Sequence, residues 1–153
     1  MDKLPYRQGV YAYILNNDNC ILLVHKKNSN MWDFPGGGVD EDESFENAVN
    51  RELLEELGTT KFEILHEGSK TYKYDWPKSE IDKNLKKTGT LMRGQEQHHF
   101  ILKFKGKDSE FALQDEELSK FKWVPLSDIE SYMAYPDLFN HVSDVFKEFG
   151  INI

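Results

Sequence analysis

The amino-acid sequence predicts an α+β domain, layered as an α/β/α sandwich and spanning residues 1–153. Three observations carry this. Short apolar or alternating runs recur at Val10–Leu15, Cys20–Val24, Tyr72–Trp76, Gln95–Phe104 and Phe121–Val124, as strands require. Two longer stretches space their apolar residues as helices do: Phe45, Val49, Leu53 and Leu57 in one, and Leu138, Val142, Val145, Phe146 and Phe149 in the other. No repeat, low-complexity tract or interdomain linker separates them, so several strands and about two substantial helices share one set of layers.

In chain order, Val10–Leu15 and Cys20–Val24 flank Asn16-Asn17-Asp18-Asn19, a β-hairpin pattern. Lys26–Asn30 reads as loop and Met31–Phe34 as a short extended piece, while Pro35-Gly36-Gly37-Gly38 is expected to break regular structure. Asp40–Ser44 offers capping side chains to a helix that ends at Leu57, with Gly58 as its stop. Lys61–Trp76 reads mostly as strand, and Pro77–Gly94 as a Lys-rich loop with at most a helical turn at Ile81–Lys87. Gln95–Phe104 is a strand, Gly106–Asp115 a connection, and Phe121–Val124 a strand closed by Pro125. Leu126–Tyr132 supplies one or two helical turns, and Pro136–Phe149 a terminal helix.

With 153 residues, the chain buries roughly two-thirds of its unfolded surface and holds a rigid site without staples. The lone Cys20 excludes an internal disulfide, fits a reducing cytosol and is expected to serve core packing. No signal-like segment and no apolar run of ~20 residues is present, so a soluble, cytoplasmic protein is expected. The net charge of −8 argues against stable binding to duplex nucleic acid or to a phosphate backbone in general. A phosphorylated substrate therefore has to be met locally, by divalent cations on clustered carboxylates and by a basic margin drawn from Arg7, Lys26, Lys27, Lys73, Lys78, Lys83, Lys86, Lys87 and Arg93.

The carboxylates that matter lie between Gly37 and Thr59. Glu52, Glu55 and Glu56 stand at i, i+3 and i+4 and project within roughly 100° of one helix face. Like charges so close disfavour an isolated helix but suit hard cations that take oxygen ligands, Mg²⁺ or Mn²⁺. Taken alone, the cluster also reads as a solvated acidic face. The spacing decides between the two: Gly37, five residues, Glu43, seven residues, Arg51-Glu52-Leu53, one residue, Glu55-Glu56, one residue, Gly58. This pattern matches the Nudix signature at each of its fixed positions, and the chain resembles a Nudix hydrolase. Thr59 departs from the aliphatic residue the family prefers, with only a packing effect expected.

The resemblance implies a Nudix fold with a mixed β-sheet and a loop–helix–loop signature, and hydrolysis of a nucleoside diphosphate linked to another group. It implies that Glu52, Glu55 and Glu56 ligate two or more Mg²⁺ ions, joined by the Gly37 carbonyl, and that Glu43 and Arg51 hold loop and helix together. Wider matches resemble the bacterial RNA pyrophosphohydrolase and diadenosine tetraphosphate hydrolase group: Tyr6-Arg7, Trp32-Asp33-Phe34-Pro35, Tyr74-Asp75-Trp76-Pro77-Lys78, Gly94-Gln95-Glu96-Gln97 and Phe121-Lys122-Trp123-Val124. That likeness implies an RNA 5′ end or a dinucleoside polyphosphate as substrate. It nominates Glu117 as an extra metal ligand or general base, with Asp115 and Glu116 as alternative registers and Glu55 and Glu56 as rival bases. Arg7, Lys26 and Lys27 fall at phosphate-contacting positions, Gln95 and Gln97 in the stretch feeding a strand, and Tyr74 where an aromatic stacks on a base, opposed by Phe139 or Tyr135. Gly36 departs from the Gln usual there, which bears on substrate more than on chemistry.

A housekeeping nucleotide or nucleotide-sugar pyrophosphatase, and a non-catalytic module binding nucleotides or RNA ends, share the signature and stay open. Zinc, serine-hydrolase and Walker-type chemistry find no support, because the five histidines lack HExxH or Cys-His spacing and neither Gly-x-Ser-x-Gly nor Gly-Lys-Ser/Thr occurs.

Overall fold

The computed structural model describes residues 3–27, 29–113, 118–133 and 136–153. Among them the strands join into one eight-stranded mixed sheet. Strands β1 (Tyr6–Leu15) and β2 (Cys20–Lys26) form the expected hairpin. The Asn16 side chain closes its turn by accepting the amides of Asp18 and Cys20 at 3.0 and 2.9 Å, and Asn19 takes φ +57°. Asn tolerates that left-handed backbone and hydrogen-bonds it locally.

The hairpin then splays. Its two strands pair only beside the turn, Leu15 opposite Ile21. Farther on, β1 takes β4 (Gly36–Gly38) as an antiparallel partner, while β2 takes β3 (Met31–Asp33) and β8 (Leu118–Pro125). Along its other edge β1 runs parallel to β7 (Gly94–Phe104), in register from Tyr6 opposite Gly94 to Leu15 opposite Lys103. Strand β7 in turn carries β5 (Phe62–Glu67) and β6 (Tyr72–Asp75), each antiparallel and at opposite halves.

Alternation along β1 sends Val10, Ala12 and Ile14 to one face and Tyr13 and Leu15 to the other. The first face packs on Ala48, Val49, Leu53 and Leu57 of helix α1 (Phe45–Leu57). The second packs on Ile129, from the 3₁₀ segment Leu126–Tyr132, and on Leu138, Val142, Val145 and Phe146. The last four belong to the terminal helix, Pro136–Glu148. The sheet is thus sandwiched between helical layers, as expected.

Four local readings change. The three glycines do not break regular structure but form β4, because lacking side chains they fit flat against β1. Lys61–Trp76 is two strands, parted at Gly68 where the chain moves from one half of β7 to the other. The expected loop after Pro77 is helix α2 (Lys78–Thr88), stopped by Gly89 at φ 77°; the terminal helix becomes α3 in chain order. Ile81 is the residue that α2 buries, so the helix is amphipathic on a narrow stripe within a Lys-rich exterior. Cys20 opens β2 half-buried rather than packed in the core. No helix among the described residues is long and apolar enough to cross a membrane.

Candidate active site

Helix α1 is set by its ends. Ser44 accepts the Asn47 amide at 3.1 Å, and Gly58, at φ 75°, donates its own N–H to the Leu54 carbonyl at 3.0 Å. With Val49, Leu53 and Leu57 packed on the sheet, the adjoining face carries the glutamates. They do not share one exposed surface. Glu56 is buried at 3% exposure, Glu52 is intermediate, and the Glu55 side chain is 54% exposed. Thr59, the residue that departs from the family's aliphatic, is buried and its hydroxyl accepts the Lys61 amide at 3.2 Å.

Strand β4 is the opposing wall. The Gly36 amide donates to Glu56 Oε1 at 2.9 Å. At φ 154° this residue has no room for a side chain, since a Cβ would lie 2.0 Å from the Val10 carbonyl oxygen. That contact gives a physical reason for glycine where the related group usually has Gln. At Gly37 a Cβ would meet the Glu52 carboxylate at 2.3–2.5 Å, so the β4 backbone and the α1 acids touch directly.

Arg51 ties this together. Its guanidinium grips Glu43 through two bonds of 2.8 and 2.9 Å, donates to the Gly38 carbonyl at 2.8 Å, and reaches Glu52 at 3.0 Å and Glu55 at 3.3 Å. Hydrogen bonding to Arg51, then to the Asp40 amide, holds the Glu43 carboxyl down at about 2 from an ordinary 4.5. The hydrogen bond to Glu43 likewise raises Arg51 above its already high value. Loop, strand and helix are locked at one guanidinium.

Gly36, Gly37, Gly38, Glu52, Glu55 and Glu56 border a recess of about 400 Å³ whose remaining walls are Arg7, Lys26 and Lys87. Acids and bases line it together. The donor set, three carboxylates against a backbone strand, is all hard oxygen and fits Mg²⁺ or Mn²⁺. The space a Cβ would fill at Gly37 is what lets the backbone and Glu52 meet there. Among the described residues no three acidic or imidazole side chains are drawn into a preformed cage, because Glu52 and Glu55 lean toward Arg51 while Glu56 turns to Gly36.

The other candidates disperse. Arg7 donates to Gln95 at 3.3 Å, and both line a groove of about 360 Å³ with Tyr74, Trp76, Lys83 and Lys87. Gln97 is buried beneath Gly9, close to Gln95. Lys26 reaches the recess, but Lys27, exposed beyond the end of β2, is not among the residues lining it. Phe139 is half-buried against the α3-side core and does not line the grooves that Tyr74 borders. Glu117, with its alternatives Asp115 and Glu116, and Tyr135 lie outside the described residues. Lys87 was legible only as one of many lysines. Its signal was Ile81 between the helix bounds Pro77 and Gly89: Ile81 is the residue α2 buries, and Lys87 on the same helix lines the recess.

A family profile described as "NUDIX domain" matches residues 5–145. The chain belongs to the Nudix family. This Nudix chain is similar to the RNA pyrophosphohydrolase of Pelagibacter ubique, 34% identical over 95% of the chain and 92% of that protein. It is also similar to the RNA pyrophosphohydrolase of a Nitratiruptor species, 30% identical over 98% and 99%. Among solved structures, a C. elegans Ap4A hydrolase binary complex shares the fold with a TM-score of 0.67 at 18% identity, covering 92% of this chain and 96% of that one. A MutT protein from Methanosarcina mazei Go1 does so with a TM-score of 0.65 at 24% identity, over 97% and 95%.

Proposed function

We propose that this Nudix protein hydrolyses a pyrophosphate linkage in a nucleoside polyphosphate, namely the 5′-triphosphate end of an RNA or a dinucleoside polyphosphate. The observation that carries the reading is the recess itself, which Glu52, Glu55 and Glu56 line together with Arg7, Lys26, Lys87 and the glycine strand. Relatives named RNA pyrophosphohydrolase along nearly the whole chain support the substrate class. The expectation of a cytoplasmic location belongs to the same reading.

Glu52, Glu55 and Glu56, with the Gly37 carbonyl and Glu117, would hold two or more Mg²⁺ or Mn²⁺ ions. Such ions supply charge neutralisation at phosphate oxygens and acidify water. Arg7, Lys26 and Lys87 would bind the remaining phosphate oxygens and keep the chain of phosphates against β4. Arg51, fixed by Glu43, orients Glu52 and Glu55. In the reaction a water oxygen bonds to phosphorus as the bridging P–O bond breaks. The water's proton passes to a carboxylate among Glu55, Glu56, Glu116 and Glu117, and the leaving phosphate departs with the bridging oxygen.

The test is a panel of triphosphorylated RNA, diadenosine tetraphosphate and simple nucleoside triphosphates, with Mg²⁺ and with EDTA, with products identified. Metal-dependent release from one of the first two substrates is expected. No turnover of any substrate would sink the proposal.

A further inference from the structure

On the sheet face away from α1, beside α3, Trp32, Tyr72, Tyr74 and Tyr132 wall a pocket of about 210 Å³ with Asp33 in its lining. Asp33 closes β3, and its Oδ1 accepts the Phe34 amide at 2.8 Å. Burial raises its carboxyl above the ordinary range, with Lys26 the charge that opposes the rise. A carboxylate recessed among aromatic rings is costly unless a ligand's donors meet it. The Arg7 groove links this pocket to the reaction recess: Tyr74 borders both pocket and groove, and Arg7 and Lys87 border both groove and recess.

Flat aromatic walls suit a stacked nucleobase of any identity. Identity then rests on hydrogen bonding. An ionised carboxylate only accepts. Guanine alone among the common bases presents two adjacent N–H donors, N1–H and N2–H₂, on one edge; adenine, cytosine and uracil each set a donor beside an acceptor there. We infer that this pocket is a guanine-selective base site in which Asp33 determines specificity. The inference rests on the proposed nucleotide chemistry and names the base that the substrate carries next to its phosphates.

Calorimetric titration of the whole chain, without metal, with GMP, IMP, 1-methyl-GMP and AMP reads this site independently of turnover. GMP should bind about ten-fold more tightly than AMP, as a good paired contact discriminates. Removing N2–H₂ (IMP) or blocking N1 (1-methyl-GMP) should each erase most of that margin, and Asp33→Asn should abolish the preference. Equal affinity of the native chain for GMP and AMP overturns the inference even if the Asn variant does not fold. Guanine preference in a protein that hydrolyses nothing would remove the catalytic reading and leave the base site standing. Hydrolysis without base preference would do the reverse.

Discussion

The Glu56 carboxylate accepts the Gly36 amide at 2.9 Å, joining α1 to β4 across twenty residues of chain. Because Gly36 sits at φ 154° with Val10 O where a Cβ would go, this anchor depends on glycine. Gly36→Ala should therefore destabilise the fold by about 1–3 kcal/mol, the scale of a forced backbone conformation, and lower kcat as Glu56 shifts. Urea unfolding alongside turnover checks this. An unshifted midpoint with full activity would show that β4 tolerates the side chain.

The Glu43–Arg51 pair makes acid sensitivity predictable. Glu43 titrates at about 2 in the fold against 4.5 ordinarily, so its contribution is complete above 4.5 and is lost as pH falls toward 2. Glu148, held at about 2 by Ser69 and then by His66, acts in the same window. Glu43→Gln should flatten the stability-versus-pH curve between pH 4.5 and 2 in denaturant melts. A slope equal to that of the native chain would mean the pair adds nothing.

A separate window belongs to His99. Buried beneath Tyr13, whose hydroxyl pairs with its Nδ1, it is held at about 3 by burial and, next, by His141. Between pH 6.5 and 3 the unfolded chain takes up a proton that the fold refuses, so stability falls as pH drops through that range. His99→Phe should remove this part of the slope above pH 4.5, where Glu43 is silent. An unchanged slope there would assign the effect to other groups.

Lys87 reaches the recess from α2. Lys87→Ala should reduce kcat/KM by roughly five-fold, equivalent to about 1 kcal/mol for a partly screened phosphate contact, mostly through KM. Added salt should shrink the difference between the variant and the native chain. A kcat effect without a KM effect would place Lys87 elsewhere in the reaction.

Local chemistry was readable where it was also sufficient. Ser44 and Gly58 bound the α1 helix, Asn16–Asn19 turns the hairpin, and the Gly37–Thr59 spacing names the family, each from neighbours in sequence. What depends on distant pairing was not readable. The glycines become a strand only because β1 runs alongside them, and the parallel register of β1 on β7 has no local signature. The full length of helix α2 was not readable because it buries only Ile81 amid lysines, and so the place of Lys87 at the recess was not readable either. The gradient of burial from Glu56 to Glu55 likewise follows from how α1 is rolled on the sheet.

The central claim, that the α1 carboxylates are the reaction centre, is tested most directly by kcat for Glu56→Gln under saturating Mg²⁺. The amide keeps an oxygen for the Gly36 N–H, so the variant should melt close to the native chain. Its turnover should fall by roughly two to four orders of magnitude, as expected when a charged catalytic group is neutralised. A folded Glu56→Gln protein with native kcat would contradict the account.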